Sequence, residues 1–263
     1  MKKTLTTLMI ASAAGMASQA NADMVSTPVA YEVAGQAYEG VLVYDDSVTD
    51  IRPGLLMVPN WMGVTEGAVQ KAQNVGGSEY VVFVADMYGK DIRPQNADEA
   101  SKAATTVRGD RAMMRDRVNA ALEVFKAQAG GIPLDVSNIG AIGFCFGGGT
   151  VLELARSGTP VQGVVSFHGN LDTPDPDDAK AIRTPVLVLH GADDPYVPEE
   201  QVQAFKEEMR TAGVDWQLNS YGGAVHSFTD PTAKMPGQAE YNPVVAERAF
   251  GAMHRFLAES MSK

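Results

Sequence analysis

The sequence predicts an α/β domain, a mainly parallel central sheet with helices on both faces. Three observations lead there. Short apolar runs recur at 54–59, 80–85, 138–144, 162–168 and 185–190. Stretches with helical spacing lie among them, at about 64–75, 97–128, 147–156, 199–211 and 240–259, with a break expected at Gly109. The runs are apolar throughout instead of alternating, as strands covered on both faces are. The 263 residues suit one domain of ordinary size, and a hydrophobic content of 45% argues against disorder outside the N-terminus.

In chain order, residues 1–22 read as a secretory signal. Lys2 and Lys3 form a positive start, Leu5 to Met16 is apolar or small, and Ala20-Asn21-Ala22 gives the small-x-small cleavage pattern before Asp23. Export is therefore expected, to a periplasm, leaving a single domain over 23–263. The apolar stretch is short for a membrane span, so no membrane association is expected after cleavage. Residues 29–35 and 37–44 alternate as an antiparallel hairpin turning near Gly35. The five apolar runs follow, and a more polar strand at 216–221 belongs toward an edge. The segment 169–183, rich in Pro and Asp, is the longest connection without a pattern. There is no internal repeat and no linker.

The formal net charge is −11 with no cluster of Lys and Arg, which makes nucleic acid and anionic membranes poor partners. The chain has one cysteine, Cys145, so it has no internal disulfide. Four histidines and one cysteine show no metal-ligand spacing, and no phosphate or dinucleotide fingerprint is present; no metal and no cofactor are expected.

In a sheet of this kind ligands bind at the carboxyl ends of the strands. The residues there are Asn60-Trp61, Asp86-Met87-Tyr88, Cys145, His168, Gly191 to Asp194, and His226 after the last strand. The strongest signal is Gly143-Phe144-Cys145-Phe146-Gly147-Gly148, between an apolar run and a helical one. It is a nucleophile-elbow pattern, with Cys where Ser is more usual. Its glycines remove side chains that would collide in a tight strand-to-helix turn. Asp194 follows the strand ending at Gly191, and His226 lies in the loop Gly222-Gly223-Ala224-Val225-His226. Nucleophile, acid and base thus appear in α/β-hydrolase order. His226 would ionise Cys145, and Asp194 would fix the imidazole tautomer. Asp193 is the competing acid; Asp194 is preferred because Asp193 is then free to cap the turn before Pro195. The oxyanion hole is expected from the backbone N–H groups of Phe146 and Trp61. Asn60, Tyr88 and His168 are candidates for the pocket wall. His190 and His254 read as structural.

These residues resemble the dienelactone hydrolase family. The resemblance runs from about Tyr38 to Leu257. It rests on the Cys145 elbow, on Gly191-Ala192-Asp193-Asp194-Pro195-Tyr196-Val197-Pro198, on His226-Ser227-Phe228 and on Ala85-Asp86-Met87-Tyr88-Gly89. It implies cofactor-free hydrolysis of small esters or lactones by a Cys-His-Asp triad. Two departures stand out. Family members acting on dienelactone carry a Glu beside the resting thiol, where this chain has Asn60, which leaves His226 alone to set thiol ionisation. They also carry an Arg for the substrate carboxylate shortly after the catalytic His, where this chain has Asp230. Arg93, Arg108 and Arg111 are the cations that could replace it. The departures point to a neutral ester or lactone. An acyltransferase, or a noncatalytic or redox-responsive binding protein on the same fold, are the competing readings; alcohol acceptors and thiol labelling separate them.

Overall fold

The computed structural model describes residues 24–262. The expected signal segment and its cleavage point lie outside the described residues. The chain opens with the antiparallel hairpin β1 (Met24–Val33) and β2 (Gln36–Asp45), in which Tyr31 faces Tyr38 across the pair. There follow β3 (Arg52–Val58), α1 (Glu66–Gly76), β4 (Val81–Val84), α2 (Ala97–Arg108), α3 (Arg111–Ala127), β5 (Leu134–Phe144) and α4 (Phe146–Arg156). The second half adds β6 (Val164–Phe167), β7 (Val186–Gly191), α5 (Glu199–Ala212), β8 (Trp216–Tyr221), the two-residue strands β9 (Lys234–Met235) and β10 (Ala239–Glu240), and α6 (Pro243–Met261).

Eight strands form one sheet in the order β1-β2-β4-β3-β5-β6-β7-β8. The first two pairings are antiparallel and the rest parallel. As its polar composition suggests, β8 is an edge strand. Alternate residues on each strand feed opposite layers. On β3, Leu56 and Val58 pack with Val118, Leu122, Phe125, Val151 and Phe205 of α3, α4 and α5. Leu55 and Met57 pack instead with Ala72, Val75, Val245, Met253 and Leu257 of α1 and α6. Both faces being covered, every residue of β4, β6 and β7 is buried. The continuous apolar runs in the sequence have this cause.

The helix boundaries follow their caps. Asp110 accepts from the Met113 N–H and starts α3 afresh, so the long helical pattern divides at Gly109 as expected. Other elements differ from the sequence reading: β1 opens at Met24 instead of 29, and β5 at Leu134 instead of 138. α6 begins at Pro243, not near 240, because Ala239 and Glu240 pair with β9 and Asn242 provides the cap. The connection 169–183 holds a 3-10 helix over Pro176–Ala181, opened by the Asp175 side chain accepting from the Asp177 N–H.

Candidate active site

β5 runs through the middle of the sheet, and α4 starts one residue after its end. Cys145 occupies the corner with φ 56 and ψ −118, a left-handed backbone that a side chain tolerates only when its surroundings enforce it. The enforcement comes from the glycines. A Cβ on Gly143 would meet the Gly147 carbonyl oxygen at 2.0 Å, and one on Gly147 would meet that of Val58 at 2.1 Å. No larger residue lets α4 sit so close to β3 and β5. The Cys145 N–H donates to the Phe167 carbonyl at 3.0 Å, which ties the corner to β6.

The half-buried sulfur lies against three groups that favour its anion: His226 and the backbone N–H groups of Phe146 and Trp61. Burial pushes the thiol up, but the hydrogen bond and charge of His226 and the two N–H donors outweigh it, and the thiol is held below its ordinary value. His226 Nδ1 lies 2.7 Å from Asp194 Oδ2. Burial disfavours its cation, yet the bond to Asp194 and the contact with Cys145 prevail and push the imidazole up to about 10. Both shifts run in the sense that favours a thiolate beside an imidazolium, with the Asp194 carboxylate buried behind the ring. The arrangement can present sulfur to an electrophilic carbon and two N–H donors to an oxyanion.

The acid loop is organised differently from the sequence reading. Asp194 itself accepts from the Tyr196 N–H at 2.9 Å through its second oxygen. Asp193 does not cap that turn; its carboxylate accepts from the Gly223 N–H at 3.1 Å and clips the acid loop to the loop carrying His226. Asn60 uses its side-chain oxygen on the Met62 N–H at 3.0 Å, so it shapes the loop presenting Trp61. Tyr88 and His168, the candidates for the pocket wall, are both 2% exposed. Tyr88 donates to the Trp61 carbonyl at 2.8 Å and packs on Phe146, bracing the oxyanion loop. His168 backs the imidazole of His226, with ring centroids 5.3 Å apart, and bonds Thr229 through Nε2 at 2.8 Å. Burial and the nearby charges of His226 and Lys71 hold His168 well below its ordinary value, so it stays neutral. Asp86 accepts from the Tyr88 and Gly89 N–H groups and pairs with Arg93, a purely structural role.

The arginines are spoken for. Arg93 is held by Asp86, and both Arg108 and Arg111 by Asp172. The cation that does feel Cys145 is Lys71 of α1, which the sequence reading missed. Its ammonium lies 4.3 Å from the centre of the Phe144 ring. Burial lowers it, while Asp230 and Cys145 act in the opposite sense. Also missed was the pairing of the His226 loop with the hairpin β9–β10. The His226 N–H donates to the Gln238 carbonyl at 3.1 Å, and its carbonyl accepts from the Glu240 N–H at 3.0 Å. Two-residue strands carry no alternation by which a sequence could announce them. A cavity of about 460 Å³ opens beside α2, walled by Ile92, Arg93, Lys102 and Arg117, without Cys145 or His226 in its lining.

A mainly parallel sheet with an elbow after its central strand, and an acid and a histidine after later ones, defines an α/β-hydrolase. Within that class the chain belongs to the dienelactone hydrolase family, whose model matches residues 39–261, and it is a hydrolase. The solved structure of m3DLH is 36% identical, with a TM-score of 0.84, covering 90% of this chain and 99% of that one. A dienelactone hydrolase-like promiscuous phosphotriesterase from metagenomic libraries is 38% identical, with a TM-score of 0.83, covering 90% and 98%. The protein K02A2.1 of Caenorhabditis elegans is 34% identical over 154 residues, which is 57% of this chain and 95% of that one.

Proposed function

We propose that the protein hydrolyses small neutral esters or lactones through Cys145, His226 and Asp194, by way of an acyl-enzyme. The observation that carries this reading is the contact of one strained, glycine-enforced thiol with His226 and with two backbone N–H donors at once. The thiolate attacks the carbonyl carbon. The new oxyanion takes the N–H bonds of Phe146 and Trp61 that the resting sulfur holds. His226, as imidazolium, protonates the departing alkoxide, and the neutral imidazole then takes a proton from the water that opens the thioester. Asp194 keeps Nδ1 protonated throughout. The proposal takes residues 23–263 as one exported, periplasmic domain that needs no metal or cofactor.

The test is a panel of small esters and lactones given to the protein from Asp23 onward after chelator treatment. Activated short-chain esters should turn over at an undiminished rate. Cys145→Ala should lose activity with an unchanged circular dichroism spectrum, and Cys145→Ser should keep a weak residue of it, since the hydroxyl is far less acidic. Wild-type rates from Cys145→Ala would remove the thiol from the reaction. A second reading, attack by the same thiolate on a neutral phosphotriester, is favoured by the 38% identity to the metagenomic phosphotriesterase. Adding paraoxon to the panel decides it.

A further inference from the structure

His226 has to hold two bonds through the whole cycle, Nδ1 to Asp194 and Nε2 toward the sulfur. A single hydrogen bond at one corner of an imidazole leaves the ring free to swing, and an ångström of swing at the far nitrogen is costly to catalysis. Something else must set the plane of the ring. Tyr196 is placed to do so. Its ring centroid lies 5.2 Å from that of His226, with the planes at 83°, an edge-to-face contact. Its backbone N–H donates to the same carboxylate that holds Nδ1. Its hydroxyl lies 3.2 Å from Gln238 Oε1, in the hairpin residue whose carbonyl accepts the His226 N–H. One residue of the acid loop therefore meets the carboxylate with its backbone, and the imidazole ring and the hairpin with its side chain. It is nonetheless 46% exposed, more than packing requires of a large aromatic residue.

We infer that Tyr196 is a positioning residue for His226: its ring fixes the imidazole plane, and its hydroxyl fastens the β9–β10 hairpin against the acid loop. The inference rests on the triad reading above. Neither the elbow nor the acid–histidine pair requires an aromatic residue at this place. The chain supplies one two residues after Asp194, where a turn bonded to the carboxylate aims it back at the histidine. His168 meets the imidazole from a second direction, so two aromatic contacts fix the plane of the ring beside its bonds to Asp194 and Cys145.

The experiment compares Tyr196→Ala and Tyr196→Phe with the parent protein and with Cys145→Ala. It reads kcat and KM on an activated ester, together with the pH dependence of Cys145 alkylation by iodoacetamide. Because the side chain is half-exposed, truncation opens no core, and melting temperature checks that the fold survives. Tyr196→Ala should lose about 10- to 100-fold in kcat, with KM within about threefold, and its alkylation profile should move to higher pH as His226 ceases to hold the thiolate. Tyr196→Phe keeps the ring and should recover most of kcat. The inference is overturned by a Tyr196→Ala protein with parental kcat, by a kcat loss without any shift of the alkylation profile, or by a Tyr196→Phe protein as impaired as the alanine variant. Cys145→Ala separates the two levels: if it stays active the triad reading falls, whereas an inactive Cys145→Ala beside an unimpaired Tyr196→Ala sinks the positioning role alone.

Discussion

The charge on the Cys145 sulfur is set by more neighbours than the one the sequence nominates. The family resemblance, with Asn60 in place of a Glu, leads to the expectation that His226 alone governs the thiol. The structure adds the N–H groups of Phe146 and Trp61, and Lys71 acts on the same sulfur from α1. Lys71 could not be found from sequence, because a helical position does not tell where a flexible side chain ends. The sign of each effect can be worked out. A thiol held below its ordinary value has a larger anionic share at a given pH than a free cysteine has, so its alkylation falls away at a lower pH than a free thiol's does. Removing a cation raises the thiol. Lys71→Met should therefore shift the alkylation profile toward higher pH. A profile identical to the parent's would show that the ammonium does not reach the sulfur. At the alkaline end, turnover should fall as pH approaches the value of about 10 at which His226 loses its proton. Both limits belong to the coupled pair more than to either residue.

Loops at the ends of β5, β7 and β8 must meet to about an ångström, and glycine marks where they touch. Gly191 closes β7 directly beneath the histidine loop. A Cβ there would meet the Ala224 and Val225 carbonyl oxygens at 2.6 and 2.7 Å, both of them backbone. Gly191→Ala should push His226 away from Asp194 and cost about 100-fold in kcat, while the sheet behind it stays formed. Steady-state kinetics beside a far-ultraviolet spectrum would check both halves; a kcat within about threefold of the parent's would mean that the loop absorbs the methyl group. The elbow, the strand order of the acid and the base, and the break at Gly109 were legible because each leaves a local mark: flanking glycines, an apolar run, an Asp cap. The β9–β10 hairpin, the clip from Asp193 to Gly223 and the contact of Tyr196 with His226 left none. They are long-range contacts between residues with ordinary local preferences.

Behind the site the domain is braced by charge as well as by its two apolar layers. Arg156 is buried at 1% side-chain exposure between Glu153 and Glu208, bonded to them at 2.9 and 2.7 Å, and it also donates to the Leu171 carbonyl. Arg111 and Arg115 of α3 reach Glu153 from the other side, and Asp172 and Asp178 of the 169–183 connection complete the cluster. The segment that lacks a sequence pattern is thus pinned by ion pairs to α2 and α3 and by the Arg156 hydrogen bond to α4. Periodicity predicts packing layers well, but it says nothing of buried charge, so the sheet and its helices could be read from sequence and this brace could not.

The order in which the site is assembled along the chain has a consequence for the living cell. The thiol emerges from synthesis well before the histidine that activates it, and the hairpin that secures the histidine comes later still. A nascent chain therefore carries an ordinary cysteine, more protonated than the folded one, until His226 and the hairpin behind it have been added. Buried cysteines become more reactive when a protein is unfolded. This one should do the reverse: in urea at pH 6, iodoacetamide should label Cys145 more slowly than in the native protein. Faster labelling of the unfolded chain would mean that the native fold hides the sulfur more than it arms it.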